Sequence, residues 1–200
     1  VHTDHDPDWR AGLPCGLGAG SARLADVPWD SHFDTAVRRS VGLRRGVYTL
    51  SDTYRRASLV PAMLADRLYR PSYLSRLWAL GHYDLIPERV VTLTSVTSRV
   101  PRRFENPFGV FEYRNMKQAY FFGFRSSGSA GYEYHVAEPE KALLDHWRLT
   151  EGEWTTQRLE EMRYQHVERI KESRLKEYAA RFGSPRLDRA VRRWLRLAAG

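Results

Sequence analysis

The chain has 200 residues, of which 42% are hydrophobic and 12% aromatic, so it carries enough apolar side chains to fill a core, which argues against an intrinsically disordered protein. Lys and Arg outnumber Asp and Glu by 32 to 24, and the net charge of +8 favours a polyanionic partner such as nucleic acid, or an acidic protein. The single cysteine, Cys15, excludes an intramolecular disulfide and a zinc site built from cysteines.

The first residues do not have the pattern of a targeting segment. His and Asp stand where a signal peptide has a positive end followed by an apolar stretch, and no apolar run approaches the roughly 18 residues of a membrane span. We therefore expect a soluble, cytoplasmic protein without a membrane partner. Residues 1–28 are rich in Gly and lack apolar periodicity, which predicts a flexible leader. His2 and His5 could hold a metal weakly, but a solvated tail is favoured, and we expect no metal site and no cofactor.

Residues 29–52 predict a helix, an Arg-rich turn and a strand, in that order. SHFDTAVRR at 31–39 has the pattern of a short capped helix, and VGLRRGVYTL at 41–50 ends in residues that favour a strand. This order is typical of the second half of a winged helix-turn-helix. The arginines here either form a solvated face or bind phosphate groups. The candidate nucleic-acid-binding residues of this segment are Arg38, Arg39, Arg44 and Arg45.

Residues 53–150 predict an α+β core. Helical spacing of apolar residues favours helices at 57–68 and 72–87, and β-branched residues favour a strand at 89–99. Three further strand-like segments follow, namely FGVFEYRN at 108–115, AYFFGFR at 119–125 and GYEYHVA at 131–137. Because the connections between them are too short for parallel crossovers, we expect an antiparallel sheet of about four strands flanked by helices.

Residues 151–200 predict a helical C-terminal region. The pattern favours helices at 155–166, 172–182 and 185–197, separated by glycines. The last of these has an apolar stripe on one side and arginines over much of the rest. Two of its arginines are candidates for a second nucleic-acid-binding surface, namely Arg192 and Arg193.

The segment VAEPEKALLDHW at 136–147 holds the densest group of ionisable residues. A hydrolase or nuclease could use four of them as acid, base or metal ligand, namely Glu138, Glu140, Asp145 and His146. The same residues also fit a helix start, because Pro139 suits the first helical position and Lys141 with Asp145 forms an i,i+4 pair. We favour the helix start, which predicts a helix at 139–149, and expect the acids on a surface turn. Phosphate-binding, zinc-protease and serine-hydrolase motifs do not occur, so we expect a protein that is not an enzyme.

Four segments in order resemble the AbiEi antitoxin family of type IV toxin-antitoxin systems. They are LRRGVYTL at 43–50, SYLSRLWALGHYDLIPERVVTLTSVT at 72–97, RRFENPFGVFEYRN at 102–115 and VAEPEKALLDHW at 136–147. In that family a winged helix ends in an Arg-Gly-Val-Tyr wing. A Ser-rich helix closing in Gly-Leu-Ile-Pro, a Val-Thr strand, a Phe-Gly strand and an Ala-Asp-Pro-Glu-Lys-Ala-Leu-Leu-Asp helix follow. Here Asp84 replaces the Gly of Gly-Leu-Ile-Pro, and Glu138 replaces Asp.

The resemblance implies an antitoxin of the kind involved in phage defence by abortive infection. Such a protein counters a nucleotidyltransferase-like toxin and often represses its own operon through an N-terminal winged helix. A complete winged helix has about three helices before the wing, whereas one is predicted here, so we expect only a partial winged helix at 29–52. The alternative hypothesis is a stand-alone DNA-binding transcriptional regulator. The predicted domains are therefore 1–28, 29–52, 53–150 and 151–200.

Overall fold

The computed structural model describes residues 39–56 and 58–199. In this part of the chain there are six α-helices and two β-sheets, which confirms the predicted mixture of helices and sheet. The described residues belong to the unit Arg39–Gly200, and the predicted domain boundaries stay predictions. The leader at 1–28 and the helix predicted at 31–39 lie outside the described residues, except for Arg39.

A two-stranded antiparallel hairpin begins the described region. Its strands are β1 (Ser40–Arg44) and β2 (Val47–Leu50). Gly46 lies in the turn between them with φ 74, a conformation that glycine adopts without a steric penalty. Leu43 is buried while Arg44 is exposed, because successive side chains of a strand point in opposite directions. The predicted strand at 47–50 is confirmed, and part of the predicted turn is itself a strand.

The main sheet has six strands of mixed direction. They are β3 (Ser72–Leu74), β4 (Leu93–Thr97), β5 (Arg102–Asn106), β6 (Gly109–Asn115), β7 (Phe124–Ser127) and β8 (Tyr134–Ala137). Their order across the sheet is β5-β6-β4-β3-β8-β7. The pairs β4–β6 and β3–β8 are parallel, and the other three pairs are antiparallel. The prediction of about four antiparallel strands is therefore wrong in both number and direction.

Strands β3 and β5 were both missed by the prediction, and two features of the chain explain the absence of β3 and the mixed direction. Strand β3 lies inside the predicted helix at 72–87, and its three residues are too few to show a period of two. Strands that are distant in sequence also become neighbours, as where Leu74 pairs with Val136. The prediction of antiparallel pairing rested on short connections between consecutive strands, which do not constrain pairing between strands that are distant in sequence. The strand predicted at 119–125 begins later, at Phe124, because Gln118–Tyr120 forms a 3₁₀ turn.

The six helices follow the predicted positions more closely. They are α1 (Pro61–Leu68), α2 (Arg76–His82), α3 (Pro139–Leu149), α4 (Thr156–Glu161), α5 (Glu172–Phe182) and α6 (Pro185–Ala198). The helices at 139–149 and 172–182 are confirmed, and α6 is one residue longer than predicted. The helix predicted at 155–166 ends at Glu161, and Arg163 and His166 beyond it have left-handed φ angles of 47° and 48°.

Helices cover the central strands of the main sheet on both faces. Leu74, Ser95 and Tyr113 are cross-strand neighbours and therefore share a face, and the hydroxyl of Tyr113 donates to the carbonyl of Ala65 on α1 at 2.6 Å. Tyr73 precedes Leu74 on β3 and points to the opposite face, where it contacts α3. Helix α3 in turn packs against α5 and α6.

Gly123 allows α5 to approach α3 closely. A Cβ atom at this position would lie 2.9 Å from Cε2 of Tyr178 and 3.2 Å from Cγ of Lys141, and φ is 68°. We expect Gly123→Ala to lower the free energy of unfolding by about 1–3 kcal/mol, because steric overlap adds to the strain of a positive φ. Gly46→Ala is the control, since it has a similar φ and no atom within 4 Å. Equal losses in urea unfolding would contradict a packing role for Gly123.

Candidate nucleic-acid interface

Three of the four arginines predicted in the segment 29–52 lie in the hairpin or directly before it. Arg39, Arg44 and Arg45 are all exposed, and Arg44 and Arg45 lie at its tip. The guanidinium of Arg39 lies 5.1 Å from the ring centroid of Tyr54. Arg38 lies outside the described residues. The hairpin contacts the edge strand β5, and Nδ2 of Asn106 donates to the carbonyl of Leu43 at 3.1 Å.

Further arginines surround the C-terminal end of α1, next to the hairpin. Nε of Arg44 donates to the carbonyl of Leu68 at 2.8 Å, and Nη1 of Arg99 donates to the carbonyl of Arg70 at 3.0 Å. Carbonyl groups at the end of a helix carry partial negative charge and lack partners within the helix. Arg44 therefore satisfies a carbonyl at the end of α1, and Arg99 satisfies one two residues beyond it, while both side chains stay exposed to solvent.

Aromatic rings connect this group to strand β5. The guanidinium of Arg99 lies 4.6 Å from the ring centroid of Tyr69, which meets the ring of Tyr113 edge-on at 5.3 Å. Arg102 is the cross-strand neighbour of Tyr113 and is exposed. The resulting exposed surface is here named the arginine edge, and it consists of Arg44, Arg45, Arg70, Arg99 and Arg102.

The arginine edge keeps most of its positive charge. Arg70 forms an ion pair with the buried carboxylate of Asp66. Within 39–56 and 58–199, the other four arginines of the edge have no carboxylate partner. Uncompensated guanidinium groups on an exposed surface attract phosphate and can bind it with two parallel hydrogen bonds.

The prediction from sequence missed three members of the edge, namely Arg70, Arg99 and Arg102. The run SRVPRR at 98–103 was an available signal, since it holds three arginines and no acid. Arg103, the third of them, forms an ion pair with Glu105 at 3.1 Å. Arg70 lies near the hairpin because the end of α1 packs next to it in the folded chain, and no sequence pattern predicts this position.

The arginines of α6 form a separate group, and several of them have structural partners. Arg186 donates to four carbonyls near the end of α3, those of Trp147, Arg148, Thr150 and Gly152. Arg193 donates to the carbonyl of Trp154 at 2.9 Å and pairs with Glu153 at 3.5 Å. Arg193 therefore stabilises the turn after α3, and the predicted second surface of Arg192 and Arg193 stays a prediction. Arg192 is exposed.

The ionisable residues of VAEPEKALLDHW are buried, except for the partly exposed Glu138, so the predicted position of the acids on a surface turn is wrong for Glu140 and Asp145. Lys141 and Asp145 form an ion pair whose side chains are both 0% exposed. Nζ of Lys141 also donates to the hydroxyl of Tyr73 at 2.8 Å. Tyr73 and Ser75 donate to Oδ2 of Asp145 at 2.9 and 2.8 Å. The four side chains form the buried network, which joins α3 to β3.

Aromatic rings enclose the cation of the buried network. Nζ of Lys141 lies 5.0 Å from the ring centroid of Phe122 and 4.9 Å from that of Phe182. Burial lowers the pKa of Lys141, against the attraction of Asp145. Burial, together with the charge of Asp145, raises the pKa of Tyr73 well above its usual range. Tyr73 therefore stays protonated and donates to Asp145.

The other candidates for catalysis face different partners. Glu138 accepts from the hydroxyl of Tyr178 at 2.5 Å, and Glu140 accepts from the backbone N–H of Lys171 at 2.7 Å, at the start of α5. The ring of His146 lies 5.2 Å from that of Trp154, and burial lowers its pKa to about 3. These candidate acids and the candidate base thus contact α5, the residue before it and the loop after α3, and they do not meet in one pocket.

Comparisons with known proteins leave the family open. No protein-family model, no curated protein and no solved structure matches the chain. Among the described residues, none of the helices is both long and apolar enough to cross a lipid bilayer. In the same residues, His, Cys, Asp and Glu side chains form no group of three or more suited to hold a metal ion.

Proposed function

We propose that the chain is a cytoplasmic antitoxin similar to the AbiEi family, which counteracts a nucleotidyltransferase-like toxin. The observation that carries the proposal is the buried network, which joins two of the segments that bear the resemblance. Tyr73 and Ser75 belong to the segment at 72–97, and both donate to Asp145 of the segment at 136–147. Two motifs that are distant in sequence are thus joined by buried hydrogen bonds, as expected if both belong to the core of one family fold.

The hairpin adds support from the first of these segments. LRRGVYTL at 43–50 forms the end of β1, the turn and β2, which is the shape of a wing. Such a hairpin projects basic side chains from the body of a domain, and in winged-helix proteins it contacts DNA beside the recognition helix.

Growth of cells that produce the product of the adjacent gene, which is the candidate toxin, tests the antitoxin proposal. We expect co-expression of the full chain to restore growth. Lys176→Met should also restore growth, since Lys176 forms only an exposed i,i+4 pair with Glu172. Lys141→Met should fail, because the buried network depends on that charge. Absence of rescue by a wild-type chain that accumulates in the cells would contradict the proposal.

A second function, binding of promoter DNA, is favoured by the arginine edge. Its exposed guanidinium groups lie together along the hairpin tip, the end of α1 and the start of β5. Several basic groups on one surface can contact neighbouring phosphates of a DNA backbone. An antitoxin that also regulates transcription would use this surface on its own operon, and a stand-alone regulator would use it without any toxin. The growth experiment separates the two, since only an antitoxin restores growth.

A further inference from the structure

Asp66 lies where α1 meets β8 and holds two basic partners at once. Its side chain is 1% exposed. Oδ1 accepts from the backbone N–H of His135 at 3.2 Å and lies 2.7 Å from Nδ1 of the His135 ring. Oδ2 accepts from Nη2 of Arg70. One buried carboxylate is thus shared between a permanent cation and a group that titrates near neutral pH.

His135 remains open to solvent while it contacts Asp66, since 44% of its side chain is exposed. The hydrogen bond with Asp66 raises the pKa of His135, with a smaller contribution from Glu133, while burial and Arg70 act in the opposite direction. From β7, the ring of Phe124 meets the imidazole edge-on at 5.8 Å. Burial favours the neutral form of Asp66, but hydrogen bonds from His135 and Arg70 outweigh it and lower the pKa of Asp66.

Protonation of His135 changes the charge beside the arginine edge. When the ring is neutral, Asp66 balances Arg70 and the three groups have no net charge. When the ring is protonated, the same carboxylate faces two cations and the group carries one positive charge. Arg70 is a member of the edge, and its carbonyl accepts from Arg99. The added charge therefore lies next to the surface proposed to bind phosphate.

We propose that protonation of His135 strengthens the binding of a DNA duplex to the arginine edge. The inference rests on the proposed DNA binding and adds its regulation by pH. At roughly 0.1 M salt, one more neutralised phosphate changes affinity by up to about tenfold. We expect the affinity to rise about three- to tenfold as the pH falls through the pKa of His135. Because coupling is reciprocal, a bound duplex should raise that pKa.

The experiment measures binding of a fluorescently labelled random-sequence DNA duplex by anisotropy. The full chain is titrated from about pH 8 down to about pH 5.5, across the range in which histidine protonates, at constant ionic strength. His135→Gln removes the titrating ring and keeps a side-chain donor for Asp66. His166→Gln is the matched control, since its Nδ1 lies 3.3 Å from Glu168 in a half-exposed pair outside the edge. NMR follows the pKa of His135 with and without duplex.

The outcomes separate the two proposals. A rise in affinity at low pH in the wild type and in His166→Gln, with a weaker rise in His135→Gln, supports the inference. An equal rise in all three proteins overturns it and leaves DNA binding in place. Absence of binding at every pH overturns both. If His135→Gln folds poorly in a thermal unfolding check, the wild-type NMR titration decides, and a pKa of His135 that the duplex leaves unchanged overturns the inference.

Discussion

Replacement of Lys141 with methionine is expected to lower the free energy of unfolding by about 3–5 kcal/mol, because it leaves the carboxylate of Asp145 buried without its cation. Both side chains are 0% exposed, so water cannot take the place of the ammonium group. Tyr73 and Ser75 would still donate to Asp145, but two neutral donors do not balance a buried charge. Methionine is close to lysine in length and apolar, so the loss reports the charge more than a cavity.

Urea unfolding of the full chain measures this loss, and the chain supplies its own control. Lys176 and Glu172 form an ion pair with the same i,i+4 spacing on α5, with side chains 58% and 60% exposed. We expect Lys176→Met to change the free energy of unfolding by about 0.5 kcal/mol or less, because exposed pairs contribute little. A loss for Lys141→Met no greater than that for Lys176→Met would contradict a stabilising role for the buried charge.

A double replacement extends this test. Lys141→Met together with Asp145→Leu removes both charges, so neither is left unpaired. The double variant should be more stable than Lys141→Met alone, with coupling of about 1–3 kcal/mol between the two positions. Tyr73 and Ser75 would then lose an acceptor, which limits the recovery. A double variant less stable than the single one would show that the hydrogen bonds contribute more than the charge pairing.

Charge reversal at the arginine edge is expected to weaken DNA binding about a hundredfold at roughly 0.1 M salt. The variant carries Arg45→Glu and Arg102→Glu, one residue at the hairpin tip and one on β5. Each lost phosphate contact costs up to about tenfold at this ionic strength, and each new carboxylate adds repulsion. Binding should weaken nearly uniformly across sequences, because phosphate contacts carry no direct sequence information.

The matched control reverses two charges outside the arginine edge. Arg89→Glu with Arg196→Glu changes the net charge by the same amount at two exposed positions and leaves both predicted nucleic-acid-binding surfaces unchanged. Anisotropy titrations over a range of salt should show a shallower dependence for the edge variant, by about two counterions, and a nearly unchanged one for the control. Equal weakening in both variants would mean that net charge, and not the arginine edge, governs binding.

Local patterns predicted the helices well because their signals lie within a few residues. Pro139 is the first residue of α3, and Gly183 ends α5 in a left-handed conformation with φ 56. The prediction of the sheet was poorer, since β3 is only three residues long and its neighbour β8 lies far along the chain. Pairing between distant strands depends on packing that no short window of sequence contains.

The sequence alone determined the pairing of Lys141 with Asp145, because four residues along a helix bring the two side chains together in any environment. It also determined that the basic residues concentrate at the hairpin. Only the tertiary structure decided that this pair is buried and bound by Tyr73 and Ser75, and that Arg70, Arg99 and Arg102 join the hairpin arginines at one surface. The physical reason is that burial and surface charge are properties of the folded chain, set by which distant segments pack together, whereas helix spacing is set by the backbone itself.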